Sequence, residues 1–355
     1  MRPDQFDYDA YHRRCERVNG KAAAFLAGEY LPVGQYSLGD SVYSYGCRDR
    51  TEMLPVMLDG IAKTIATEND WLPYLEPWHG IGVFAEAFGC PFLWSDTDAP
   101  WTRTIVSDID GLRRLEKPDI DKSAMLKMVL DTTEYFNEQT KGEIHIAPTD
   151  TQGPLSTMSL VCDVTWMLME AWDYPEDFHR ALGIITDLII EFTIKQQSLC
   201  ARPTAPGHTM WSPDSFKGVS LSDDMLAMVG ADFYREFGLP YDTKIAQALG
   251  GVGIHSCGRW AHNFAVVQEI ENITMVDLAI SRVYDPNPNL PGKIIEGFGG
   301  TSVPVQVRCD PRDRTFIDEL LASDVRTILS FWWDEDPANR KRAYEDTKRS
   351  WEKLH

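Results

Sequence analysis

From about residue 60 onward, short runs of β-forming residues alternate with longer windows whose apolar residues recur every three or four positions. This alternation is typical of repeated strand–helix units around a parallel sheet. Eight strands are predicted, at 64–67, 92–95, 143–147, 207–211, 252–256, 275–280, 303–309 and 327–332. The windows with helical periodicity are 124–140, 155–172, 175–199, 223–250 and 337–354.

Eight strands separated by helices favour an α/β fold that closes into a (β/α)8 TIM barrel over an open doubly wound sheet. No linker rich in Pro, Gly or Ser divides the chain, and no internal repeat is visible. We therefore expect one barrel domain over residues 60–355, preceded by an N-terminal helical extension over residues 1–59.

The charge of the chain narrows the classes of function. With 34 basic and 54 acidic residues the net charge is −20, so the surface repels phosphate backbones and anionic lipids. We expect neither a nucleic-acid partner nor a membrane partner, but a small-molecule substrate. The charged N-terminus lacks the apolar core of a signal peptide, and the seven cysteines show no clustered spacing. Free thiols and a cytoplasmic location are therefore expected.

The stretch GVGIHSCGRW, residues 251–260, combines a strand with two metal-binding side chains. In a strand, residues two apart point to the same face, so His255 and Cys257 converge while Ser256 points away. Imidazole nitrogen and thiolate sulfur bind zinc at about 2.0 and 2.3 Å. The stretch predicts two zinc ligands, although a packed strand that runs into a turn without metal would show the same pattern.

A catalytic zinc usually has three protein ligands and one open position. Cys309 is the leading candidate for the third, because it ends the predicted strand VPVQVRC and barrel strands deliver their last residues to one rim. Asp310 is the reserve.

The segment TDTQGPLSTMS, residues 149–159, follows a predicted strand and opens a helix. Asp150, Gln152 and the helix N-terminus would then face the barrel mouth and hold an anionic group of a substrate. The same residues would also serve as an ordinary helix start with Pro154 in the first turn.

Several aromatic residues lie near predicted strand ends and are candidates for the wall of a cofactor pocket. The candidates are Trp78 with its neighbour His79, and Trp211. Trp260, Trp332 and Trp333 occupy similar positions. Each of these residues would equally fit a structural core.

The order of motifs resembles the uroporphyrinogen decarboxylase superfamily over roughly residues 60–350. The motifs are TDTQGPLSTMSLV, then WDYPEDF, then SLSDDMLAMVGADFYREFGLPYDTKIAQALGG, then GIHSCG. The resemblance implies a (β/α)8 barrel with its site at the C-terminal mouth, and a homodimer. It also implies one of two chemistries: cofactor-independent decarboxylation of a tetrapyrrole, or zinc-dependent methyl transfer between a corrinoid and a thiol.

Comparison with the two branches favours methyl transfer. The arginine-rich N-terminal motif, the tyrosine after the GP motif and the late GHG of the decarboxylases are replaced by LPVGQYS, Leu160 and SFWWDED. The methyltransferase branch resembles this chain in its H-x-C motif, at His255 and Cys257. Its later cysteine is replaced by tryptophan in RTILSFWW, so Cys309 or a carboxylate would complete the zinc site.

The leading hypothesis is a zinc methyltransferase in which Asp150, Gln152 and Asp224 orient the substrate. The methyl carrier would be a corrinoid, either free or bound to a corrinoid protein. A second hypothesis is a metal-independent decarboxylase in which Asp70, in ATENDWLPY, stabilises developing positive charge as the family's pyrrole-binding aspartate. A third is a corrinoid- or tetrapyrrole-binding module without turnover.

Overall fold

The computed structural model describes residues 1–37, 40–331 and 333–355. Seven strands form one parallel sheet in the order β1-β9-β8-β7-β6-β5-β4, and β2 and β3 form a separate antiparallel pair. The strands are β1 Val33–Gln35, β2 Phe92–Leu93, β3 Trp101–Thr102, β4 Thr151–Gln152, β5 Val219–Ser222, β6 Val252–His255, β7 Ile273–Ala279, β8 Val305–Cys309 and β9 Thr327–Phe331.

The α-helices alternate with these strands and cover the outside of the sheet. They are α1 Tyr8–Leu26, α2 Arg50–Ile65, α3 Val83–Ala87, α4 Ile109–Arg113, α5 Ala124–Gln139, α6 Pro154–Val161, α7 Val164–Glu170, α8 Pro175–Ser198, α9 Ala231–Phe237, α10 Leu239–Leu249, α11 Phe264–Val267, α12 Pro291–Phe298, α13 Arg314–Leu321 and α14 Pro337–Leu354. Within the described ranges, no helix combines the length and the apolar character that crossing a membrane requires.

The chain around residue 75 closes the ring between β1 and β4. The Asp70 amide donates to the Val33 carbonyl over 2.8 Å, and Leu75 forms a parallel bridge with Ile146, just before β4. Together with the seven sheet strands this segment makes eight parallel positions. The predicted α/β (β/α)8 barrel is therefore confirmed.

The barrel begins earlier in the chain than the sequence predicts. β1 lies inside the segment 1–59 that was expected to precede the barrel, and α2 continues across residue 59. β1 pairs in parallel with β9 and so occupies a full barrel position. The strand has only three residues with Gly34 in the middle, which is too short for a period-two pattern to reveal.

Several predicted elements differ from the structure. Residues 64–67 belong to the end of α2 and the turn after it, and the predicted strand 92–95 is shortened to β2, outside the barrel sheet. Residues 207–211 form a turn in which His208 and Thr209 have φ values of 27° and 55°, and the barrel strand here is β5 instead. The predicted strand 327–332 ends at Phe331 as β9, and Trp332 lies outside the described residues.

The predicted helix 223–250 is divided by two glycines. A 3-10 turn at Asp224–Ala227 is followed by α9 and α10, which start after Gly230 and Gly238. A β-carbon on Gly238 would lie 2.3 Å from the Tyr234 ring, so only glycine permits this contact between the two helices. Because the first α-helix here begins only at Ala231, Asp224 lies in the turn that follows β5.

Two apolar cores flank the barrel wall. The larger one lies between the outward-facing strand residues and the surrounding helices. The smaller one includes the Trp211 and Phe25 rings, 5.3 Å apart, together with Met275 and Ile328 from the beginnings of β7 and β9. This second core fills the N-terminal end of the barrel and leaves polar residues at the C-terminal end.

Candidate functional site

His255 and Cys257 lie at the carboxyl end of β6. His255 is the last residue of the strand, and Cys257 follows it by two positions. Their side chains point to the same side, and the Cys257 Sγ atom lies 3.7 Å from His255 Nε2. His255 is buried whereas Cys257 is exposed, so the pair is open to solvent at the barrel mouth.

Asp224 joins this pair from the neighbouring strand. β5 pairs with β6, with Ser222 opposite His255, so the segments that follow the two strands meet. The Cys257 amide donates to Asp224 Oδ1 over 2.7 Å. The ligand atoms of Asp224, His255 and Cys257 all lie within 4.8 Å of one another, and this is the one such group found in the described part of the chain. We call these three residues the metal cluster.

The donor set of the metal cluster suits zinc. Bonds of about 2.0 Å to nitrogen and 2.3 Å to sulfur place those two atoms about 3.5 Å apart in a tetrahedral site. The observed 3.7 Å between His255 Nε2 and Cys257 Sγ is close to this spacing. Asp224 adds a carboxylate, and three protein ligands with an exposed side leave a fourth position open to a substrate.

A buried carboxylate orients the His255 ring from behind. Asp277, on β7, places Oδ1 2.7 Å from His255 Nδ1. The same oxygen lies 2.8 Å from the Arg308 Nε atom, and the Gln306 amide donates to Asp277 Oδ2 over 2.7 Å. A carboxylate on one ring nitrogen directs the other nitrogen toward a metal and fixes the orientation of the ring.

The protonation of this group follows from its charges. Burial and the charge of Arg308 lower the pKa of His255, but its contacts with Asp277 and Cys257 outweigh them and raise the pKa to about 10. Burial also acts to raise the pKa of Asp277, yet Arg308 and His255 hold it below its ordinary value. A metal ion at His255 Nε2 would therefore compete with a proton for the same atom.

Asp150 and Gln152 lie on the adjacent wall of the barrel interior. Ser222 donates to Asp150 Oδ1 over 2.7 Å, and the Gln152 side-chain amide approaches the same oxygen at 3.3 Å. Trp78 donates from its indole nitrogen to Asp150 Oδ2 over 3.2 Å. Three of the residues predicted for substrate or cofactor contact thus form one buried hydrogen-bonded group.

His208, which the sequence analysis did not single out, connects this group to the metal cluster. Its Nδ1 atom lies 3.0 Å from Glu76 Oε1, and its Nε2 atom lies 3.7 Å from Asp150 Oδ2. The His208 and His255 rings are 5.5 Å apart in an edge-to-face arrangement. Burial by itself lowers the pKa of His208, but the charges of Asp150 and Glu76 outweigh it and raise the pKa above its ordinary value.

The backbone around His208 has an unusual conformation. Gly207, His208 and Thr209 have φ values of 86°, 27° and 55°, all in the left-handed region. Two consecutive non-glycine residues in this region carry an energetic cost and are concentrated at functional sites.

Cys309, the predicted third ligand, lies elsewhere. Gln306 and Arg308 of β8 point into the barrel toward Asp277, so the alternation of the strand turns Cys309 outward to the helices. It is fully buried in the larger apolar core, and this burial raises its pKa well above the ordinary thiol value. Asp224 occupies the place in the cluster that was assigned to Cys309.

Asp70 lies at the opposite end of the barrel. It accepts a hydrogen bond from the amide of Val33, the first residue of β1. Lys348 Nζ is 2.8 Å from one carboxylate oxygen, and Lys21 Nζ and the Tyr30 hydroxyl are 3.3 and 2.7 Å from the other. The carboxylate is therefore neutralised by α1 and α14 and does not face the metal cluster.

Trp211 and His79 also have structural partners. Trp211 donates its indole N–H to the Asp70 carbonyl over 2.8 Å within the smaller apolar core. His79 lies between the Cys47 carbonyl, at 2.6 Å, and the Thr132 hydroxyl, at 2.9 Å. Burial lowers the pKa of His79 to about 4, which keeps the ring neutral. Both side chains are occupied away from the metal cluster.

Two of the site residues that were not predicted, Asp277 and Arg308, could have been found from the sequence. Asp277 in TMVDLAI and Arg308 in VPVQVRC are charged residues inside apolar strand runs, and such residues are rarely buried without a partner. No comparable signal marks Glu76 or His208, which lie outside the regular strands.

A family model and several curated proteins match part of the chain. The model of the family "Uroporphyrinogen decarboxylase (URO-D)" matches residues 78–202. Uroporphyrinogen decarboxylases of Xanthomonas campestris and Xanthomonas oryzae are 27% and 26% identical over 173 residues. The matched part is 46% of this chain and 43% of each relative, so the chain spans less than half the length of the curated relatives that it matches.

Among solved structures, a methyltransferase from Methanosarcina mazei has the same fold. The two superpose with a TM-score of 0.66 over 94% of this chain and 98% of the methyltransferase, at 14% sequence identity. This likeness shows a shared fold, and the family model with the matched relatives confirms the resemblance to the uroporphyrinogen decarboxylase superfamily.

Proposed function

We propose that this protein is a zinc-dependent methyltransferase that moves a methyl group between a corrinoid-type carrier and a thiol or similar acceptor. The observation that carries the proposal is the convergence of Asp224, His255 and Cys257 at the open end of the barrel, with ligand atoms within 4.8 Å of one another. The fold shared with a methyltransferase supports the same reaction class.

The residues of the metal cluster have separable roles. His255, Cys257 and Asp224 would hold the ion, and Asp277 keeps the His255 ring turned toward it. A bound zinc ion lowers the pKa of a coordinated thiol so that it is deprotonated near neutral pH.

The adjacent wall would bind and orient the reactants. His208 is held between Glu76 and Asp150, so its ring is fixed beside His255 and can contact a molecule above the cluster. Gln152 and Trp78 border the same space through their bonds to Asp150. The methyl carrier would enter from the exposed side, free or bound to a corrinoid protein.

Decarboxylation is the second candidate, favoured by the names of the matched relatives. The carboxylate assigned to this reaction, Asp70, is paired with Lys348 and Lys21 at the far end of the barrel. Asp150, a buried carboxylate beside His208, is the candidate for charge stabilisation in such a decarboxylase.

The test combines metal content with two assays. Purified protein is dialysed, its zinc is quantified by mass spectrometry, and methylcobalamin is offered with a panel of thiols before and after zinc removal by a chelator. We expect one zinc per chain and formation of methyl thioether that stops on chelation and returns with zinc. Release of CO2 from a carboxylated tetrapyrrole by metal-free protein, without methyl transfer, would instead establish the second candidate.

A further inference from the structure

A cavity of about 500 Å³ opens at the same end of the barrel as the metal cluster, on the side of β1, β8 and β9. Its wall includes Gln35, the last residue of β1, and residues that follow β8 and β9 or belong to α14. This volume falls within the range of about 300–1,000 Å³ that is usual for small-molecule sites. Four arginines line it, and we call it the arginine pocket: Arg312, Arg314, Arg340 and Arg342.

Two of these arginines are already paired with carboxylates. Arg312 makes a two-pronged contact with Asp310, and Arg314 pairs with Asp318. Of the other two acids in the wall, Asp346 is paired with Arg349 outside the pocket, and Asp334 is in no ion pair with the residues that the structure describes. After these pairs are neutralised, the wall keeps the positive charges of Arg340 and Arg342 against the negative charge of Asp334, which leaves a surplus of positive charge.

Arg340 is buried without a carboxylate partner. The residue is 9% exposed, one of its terminal nitrogens donates to the Asp334 carbonyl, and its guanidinium lies 4.1 Å from the centre of the Trp333 ring. Its Nε atom has no hydrogen-bond partner among the described residues. A buried cation without a counter-charge is costly, and a bound anion would remove that cost.

Arg342 adds a second positive charge on the exposed side. Over the described ranges, no carboxylate lies within ion-pair distance of either Arg340 or Arg342, whereas Asp334 accepts from Asn339 and from the Asp336 amide. In a chain with a net charge of −20, this local surplus of positive charge attracts anions to one wall of the barrel mouth.

We propose that the arginine pocket binds a carboxylate or phosphate group of the molecule that reacts at the metal cluster. Arg340 and Arg342 contact the anion, and the Trp333 ring provides a flat wall for the part of the molecule next to it. The assignment of this molecule as a methyl-transfer reactant rests on the proposed function, but the binding of an anion does not.

The test titrates the protein with orthophosphate and, separately, with acetate at constant ionic strength, using sodium chloride as the reference salt. Binding is followed by tryptophan fluorescence, and Trp333→Phe assigns the signal to the pocket. We expect saturable binding that Arg342→Gln weakens about tenfold, the size of one lost charged contact. Lys341→Gln, which removes the same charge from the exposed side of α14, is the matched control and should leave binding unchanged.

The titrations with orthophosphate and with acetate distinguish the two classes of ligand. Tighter binding of orthophosphate indicates a phosphate-bearing reactant, and tighter binding of acetate indicates a carboxylate-bearing one. Equal responses to all three salts, or equal losses in Arg342→Gln and Lys341→Gln, would overturn the proposal.

The same titration on Cys257→Ser separates this proposal from the methyltransferase proposal. We expect anion binding to persist in that variant, in which the metal cluster is broken. Zinc binding without anion binding in the unmodified protein would overturn the arginine pocket alone.

Discussion

The two ends of the barrel interior both contain buried carboxylates, but with opposite surroundings. At the N-terminal end, Asp70 is enclosed by Lys21, Lys348 and Tyr30 and covered by Trp211. At the C-terminal end, the buried Asp277 carboxylate holds the His255 ring, whose Nε2 atom lies near Cys257 and the exposed Asp224 carboxylate. A buried carboxylate therefore does not by itself mark a functional site. The distinction lies in whether its partners neutralise it or leave donor atoms directed at a shared point.

The packing around these groups follows the same division. The smaller apolar core fills the N-terminal end with Trp211, Met275 and Ile328. The C-terminal end is lined instead by charged and polar side chains that hold one another in place, such as Arg308 with Asp277.

The largest effect is expected for Cys257→Ser. Replacing the sulfur removes a strong zinc ligand from an exposed position, so zinc and methyl transfer should be lost while the fold is retained. Metal analysis after dialysis and circular dichroism measure the two properties. Cys309→Ser is the control and should keep its zinc, because Cys309 lies in the apolar core. Loss of zinc in Cys309→Ser with retention in Cys257→Ser would reverse the assignment of the ligand.

Asp70→Asn should lower the stability of the fold without changing zinc binding. The substitution leaves Lys348 buried without its counter-charge, which should lower the free energy of unfolding by about 3 kcal/mol. Urea denaturation measures the loss, and zinc content should remain at the level of the unmodified protein. A variant of normal stability with impaired zinc binding would contradict the proposed division between the two ends.

Asp277→Asn tests whether the carboxylate behind His255 contributes to zinc binding at the C-terminal end. The amide cannot supply the negative charge that orients His255, so zinc affinity should fall about 10- to 100-fold while the ion still binds. Competition with a zinc indicator measures the affinity. An affinity equal to that of the unmodified protein would show that Asp277 only stabilises the fold.

The last expected effect is a dependence of stability on pH that arises from His79, whose ring nitrogens are held by Cys47 and Thr132. Burial lowers the pKa of His79 to about 4, below its ordinary value of about 6.5. Between these two pH values His79 is therefore protonated in the unfolded chain and neutral in the folded chain. Between these values, stability should fall by about 1.4 kcal/mol for each unit that the pH decreases. His79→Gln should lack this component, which is measured as the difference in unfolding free energy between the two proteins across pH 4 to 6.5. Parallel pH profiles would show that His79 is not held neutral by the fold.

Long periodic elements were predictable from the sequence. The helix predicted at 337–354 coincides with α14, and the one at 175–199 differs from α8 by one residue. The strands at 252–256 and 303–309 correspond to β6 and β8. β1 was missed because a strand of three residues contains too few positions to show a pattern, and β5 was missed although it is as long as β6.

Only the part of the candidate site whose residues are close together in the sequence was predictable. His255 and Cys257 are two residues apart on one strand, so the backbone geometry alone brings them together. The third member, Asp224, is brought close by the pairing of β5 with β6. The error at Cys309 has a different origin, because the alternation in VQVRC already places Cys309 on the face of Val305 and Val307 and opposite to Gln306 and Arg308.

The sequence by itself determined the barrel class and the closeness of His255 to Cys257, because periodicity and short spacing are properties of neighbouring residues. Tertiary structure decided which distant residues complete that pair, and it separated Asp70 at one end of the barrel from His208 at the other. The physical reason is that a site built from several strands depends on strand register and on which charges the packing buries together, and these arise only when the ring closes.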